Sequence, residues 1–126
     1  MAETSLTIVA ESAWALTTTA DVLVLLEPES DSLSRQATVL DERLGGRLAR
    51  ARQFKELTGR PNETTMLHMD ATIASSRVLV VGVGREDSLT IERVCRAAGT
   101  AVRQLRRREV ARATLVLPES VSDNGD

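Results

Sequence analysis

The stretch Arg77-Val78-Leu79-Val80-Val81-Gly82-Val83-Gly84-Arg85-Glu86-Asp87 decides how the rest of the chain is read. Its branched aliphatic residues run without polar alternation, the pattern of a strand buried on both faces. The run ends in Gly-x-Gly, which is how many nucleotide-binding loops begin. A dinucleotide fingerprint needs a third glycine three residues on, so that helix and strand can pack closely. That position is Asp87, and a carboxylate there would repel a pyrophosphate. The Gly-Lys-Ser/Thr of a P-loop is missing as well. Gly82 and Gly84 are therefore read as a structural turn that lets the chain leave a buried strand and pass close to its neighbours.

Downstream, "LTIERVCRAAGTAVRQLRRREV" has helical spacing. Ile91, Val94, Cys95, Ala98, Val102 and Leu105 form one expected apolar face, with Cys95 as a small core residue. Thr90 is the expected N-cap, and Arg106, Arg107 and Arg108 suit the negative end of the helix dipole. Upstream, Ala20–Glu27 ("ADVLVLLE") reads as a second buried strand, ended by Pro28. Leu33, Ala37, Leu40, Leu44 and Leu48 mark a helix capped by Ser32 or Ser34. Gly45-Gly46 break it before a second short helical piece. Leu6–Ala10, Thr64–Met69 and Ala113–Pro118 complete the strands. Buried strands separated by amphipathic helices predict a three-layer α/β domain whose sheet is largely parallel at its centre.

The chain has 126 residues, 42% of them apolar, and a net charge of −2. That suits one globular domain with a real core. It exerts no overall pull on nucleic acid or anionic lipid. No apolar run is long enough to span a bilayer, and the N-terminus lacks the pattern of a signal peptide. Cys95 is the only cysteine, so no internal disulfide forms, and a reducing cytoplasm is the expected setting. Trp14 and Phe54 are the only aromatics, too few for a base-stacking platform.

Arg93, Arg96, Arg103 and Arg107 lie on the polar side of the predicted helix. They suit either a solvated face, with Glu92–Arg96 as an i,i+4 pair, or contact with DNA phosphates. His68 is the only histidine and has no second metal ligand nearby in sequence, so a structural role at a strand edge is expected. Asp41-Glu42 and Glu86-Asp87 are adjacent acidic pairs that diverge or are solvated. The sequence shows no catalytic and no metal-ligating constellation.

The order "ADVLVLLE", "LDERLGGRLARA", "QFKELTGRPNET" and "SSRVLVVGVGREDSLTIERVCRAAGTAVRQL" resembles the N-terminal domain of the leucyl (cytosol) aminopeptidase family. The likeness covers about Leu6 to Glu119, and the strand–VGVGREDSLT–helix passage is its most specific part. It implies an α/β/α sandwich with a mixed, mainly parallel, macro-domain-like sheet over residues 1–118. It also implies that residues 119–126 begin a linker to a C-terminal catalytic domain. The family's members are cytoplasmic, usually hexameric hydrolases that release N-terminal residues from peptides. They use two divalent metals, zinc or manganese, in that other domain, whose "NTDAEGR" hallmark this sequence lacks. The resemblance thus implies no catalytic residue and no cofactor in this chain. Its implied partners are its own catalytic domain and the other subunits of a homo-hexamer, peptides binding the other domain and no membrane being engaged. Two other functions follow from the resemblance. One is DNA binding through the Arg-bearing helix, since certain bacterial members of the family bind DNA through this domain. The other is ADP-ribose binding, for which macro domains use an Asn where this sequence has Leu25, Leu26 and Glu27.

Overall fold

A computed structural model describes residues 6–11, 21–30, 32–68, 77–85, 87 and 89–116. Five strands form one sheet: β1 (Thr7–Glu11), β2 (Val22–Glu29), β3 (Thr64–His68), β4 (Arg77–Arg85) and β5 (Arg112–Val116). Their order is β1-β5-β2-β4-β3. All neighbours are parallel except β3, which runs antiparallel to β4 at one edge. The helices are α1 (Arg35–Arg43), α2 (Arg47–Gln53) and α3 (Ile91–Arg107).

The unalternating hydrophobicity of β2 and β4 is explained by the layers. Leu23, Leu25, Val78 and Val80 point to one face and pack with Leu40, Leu44 and Leu48 of the α1–α2 region. Val22, Val24, Leu26, Leu79 and Val81 point to the other and pack with Ala97, Ala101 and Leu105 of α3. Burying each such side chain contributes about 1.5–3 kcal/mol. The three-layer α/β/α arrangement with a mixed, mainly parallel sheet is therefore as expected.

Several expectations need correction. Pro28 does not end β2, which continues to Glu29. Glu27 pairs with Gly82 and Pro28 with Gly84, so Val83 is an extra residue on β4, and the register shift accommodates a proline that cannot donate. β4, expected to end at Val81, runs through both glycines to Arg85 and pairs there with Glu29. Ser34, not Ser32, caps α1, accepting from the Ala37 N–H at 3.2 Å. Met69, the expected end of β3, and residues 117–126, with the expected domain boundary and linker, lie outside the described residues.

The face of α3 is also rotated from expectation. Ala97, Ala101 and Leu105 are the buried positions, Val94 packs beside them, and Ile91 is 49% exposed. Cys95 is exposed rather than part of the core. Two apolar stripes overlap on this helix, and the alanine stripe wins because small residues let the helix lie close to the sheet. Asp41, which the sequence gives no partner, is buried. Its carboxylate accepts from the Leu48 N–H (2.7 Å) and the Ala49 N–H (3.2 Å), capping α2, whose own N-cap is Gly46.

Candidate functional site

The carboxyl ends of β2 and β4 are where open α/β sheets usually hold ligands. Gly82 and Gly84 lie there. A Cβ at Gly82 would fall 1.9 Å from the Arg60 carbonyl oxygen and 2.5 Å from the Gly59 carbonyl carbon. The segment 59–63 thus lies directly on β4 and bonds to it. The Gly82 N–H donates to the Glu63 carbonyl (2.8 Å), the Asn62 N–H to the Gly82 carbonyl (2.8 Å), and the Gly84 N–H to the Gly59 carbonyl (2.9 Å). A phosphate-binding loop needs free amide donors, and these two are committed to carbonyls. Gly84 has φ +86°, and the Arg93 guanidinium covers it, donating to the Val83 carbonyl at 3.5 Å.

The arginines expected to act together on α3 are split by the fold. Arg93 is half-buried against β4. Arg96 is exposed and pairs with Glu92 at 2.6 Å. Arg103 is exposed and donates to the Thr100 hydroxyl at 3.1 Å, while Arg107, near the C-terminal end of α3, is exposed too. His68 is exposed at the end of the edge strand β3. Among the described residues, no three His, Cys, Asp or Glu side chains come together as metal ligands would. No helix among them is long and apolar enough to cross a membrane.

A buried polar cluster went unnoticed in the sequence. The Glu27 side chain is 0% exposed at the end of β2. It accepts from the Ser34 hydroxyl, from the Ser34 N–H at 3.2 Å and from Arg52 Nη2 at 3.1 Å. Burial raises its carboxyl above the usual 4.5, opposed by the Ser34 hydrogen bonds and the Arg52 charge. Arg52 also donates to the Ser30, Thr58 and Pro28 carbonyls, at 2.9, 3.0 and 3.3 Å. One guanidinium therefore ties the end of β2 and the segment after α2 to α2 itself. The sequence signal was a lone Glu closing an apolar strand and a lone Arg between Ala51 and Phe54, which is too little to pair them. The Glu27 carboxylate is engaged inside the protein.

Comparison with known proteins adds the following. Residues 22–126 match the N-terminal domain of the cytosol aminopeptidase family. A protein of Geobacter sp. (strain M21) named "Probable cytosol aminopeptidase" is 36% identical over 88 residues, covering 70% of this chain and 18% of its own length. One of Burkholderia mallei with the same name is 35% identical over 115 residues, covering 87% and 23%. The chain thus spans about a fifth of the length of these relatives. In three dimensions it resembles the macrodomain of Mycobacterium tuberculosis DarG, with a TM-score of 0.65 at 11% identity, over 86% of this chain and 74% of that one. At that identity the likeness is one of fold.

Proposed function

The chain belongs to the cytosol aminopeptidase family as an N-terminal domain of it, and on that premise we propose that it is the non-catalytic part of a larger peptidase. The observation that carries this reading is length: the segment shared with this chain is only 18–23% of these relatives. The described residues do not fit a two-metal centre, since no ligand set converges among them. On this reading the metals, zinc or manganese, belong to the other domain of the parent, where they would polarise the scissile carbonyl and activate water. This domain serves assembly of the parent, a cytoplasmic homo-hexamer, and access to its active site. Gly82 and Gly84 then work as packing positions.

The test compares the 126-residue chain with the full-length parent in a leucine anilide assay containing manganese. The parent should turn over and the 126-residue chain should not. Metal-dependent turnover by the shorter chain would overturn the proposal.

A second reading, contact with DNA through α3, keeps only part of its expected footing. Arg93 is turned inward and Arg96 is paired, leaving Arg103 and Arg107 as those of the predicted four without a carboxylate partner among the described residues. It predicts a mobility shift with duplex DNA that weakens steeply with salt and disappears when Arg103 and Arg107 are both changed to Ala. A shift that the double variant retains would dismiss it.

A further inference from the structure

We infer that the basic cleft beside the carboxyl ends of β2 and β4 is a binding site for a small ligand bearing a multivalent oxyanion, phosphate or carboxylate. The cleft has a volume of about 620 Å³ and is lined by Arg52, Lys55, Arg60, Arg85, Glu29 and Thr58. That size accommodates a metabolite-sized molecule, and its place is the one where open α/β sheets hold ligands.

The charges decide which ligand. Arg52 forms a fixed wall, its charge matched by buried Glu27. Arg85 shares its charge with Asp87 at 3.2 Å, in an exposed pair that contributes little and is easily exchanged. Glu29 is the acidic residue of the lining, and set against Lys55 and Arg60 it leaves one positive charge in excess. Lys55 and Arg60 have no carboxylate partner among the described residues. The backbone of Arg60 is fixed in place, because its carbonyl lies against Gly82.

Lys55 stands at the rim of the cleft, in the turn that ends α2, with φ +60°. This inference does not depend on the parent's being a peptidase.

The test is titration of the 126-residue chain with inorganic pyrophosphate and, separately, citrate at low ionic strength, followed by backbone amide shifts. Saturating shifts should be confined to residues 29–30, 52–60 and 84–85. Saturation by pyrophosphate alone assigns a phosphate ligand, by citrate alone a carboxylate one, and by both the charge they share. Lys55→Gly should weaken binding about threefold or more, the loss of one exposed ionic contact, while melting no lower than the native chain. Arg60→Ala should weaken it similarly. No saturation with either anion, shifts on another surface, or full affinity in both variants would overturn the site.

Discussion

Arg52 and Glu27, 25 residues apart in sequence, meet at 3.1 Å with their side chains 8% and 0% exposed. Their contact fastens α2 to the end of the central strand. The same guanidinium holds three backbone carbonyls, so it organises the segments on either side as well.

Removing the cation leaves a carboxylate buried and uncompensated. Arg52→Ala should therefore lose about 3 kcal/mol in urea denaturation near neutral pH. Replacing both partners, as Glu27→Leu with Arg52→Met, should lose clearly less, because no charge is then stranded. A double variant as unstable as the single one would contradict the reading.

The pH dependence of stability follows from the raised carboxyl of Glu27. The native chain binds this proton more tightly than the unfolded chain does. The group's contribution is therefore complete below the unfolded value near 4.5 and is lost as pH rises through the higher native one. The stability difference between the native chain and Glu27→Gln should thus shift against the native chain as pH rises from 4.5. Urea midpoints of both proteins across that range measure it, and parallel curves would contradict it.

At Gly82 the obstacle to a side chain is backbone, which cannot swing away. Gly82→Ala should cost about 2–3 kcal/mol by forcing segment 59–63 off β4. Amide exchange should quicken at Asn62 and Gly84, whose bonds span that junction. Unchanged exchange would show that the segment tolerates displacement.

Asp41 closes the gap left by Gly46, which offers α2 no side-chain cap. Asp41→Ala should cost about 1–2 kcal/mol, with Asp41→Asn recovering part of it as an alternative acceptor. Thermal melts of the two variants decide this, and equal losses would mean that charge rather than acceptance is what α2 requires.

Much of the architecture was legible in the sequence because its signals are strong and local. The aliphatic runs at Val22–Leu26 and Val78–Val81 require two covered faces, and Ser34 and Thr90 announce two helix starts. What stayed hidden depends on distant partners. Nothing near Pro28 reveals that β4 will carry an extra residue opposite it, and nothing near Asp41 reveals α2's unfilled cap. The facing of α3 was obscured by two overlapping apolar stripes, which left Cys95 on the wrong side. For the site, the missing third glycine argued against a nucleotide loop, but the engagement of the Gly82 and Gly84 amides required the fold. The cleft around Lys55 draws its walls from three separate segments, so no window of sequence contains it.

The strand order has one more consequence, for the making of the protein. Of the five strands described, β1 is made first yet pairs with β5, which is made after the other four, and β2 also needs β5 on one side. This sheet therefore cannot close until synthesis has passed Val116, and β1 must wait for β5 to emerge.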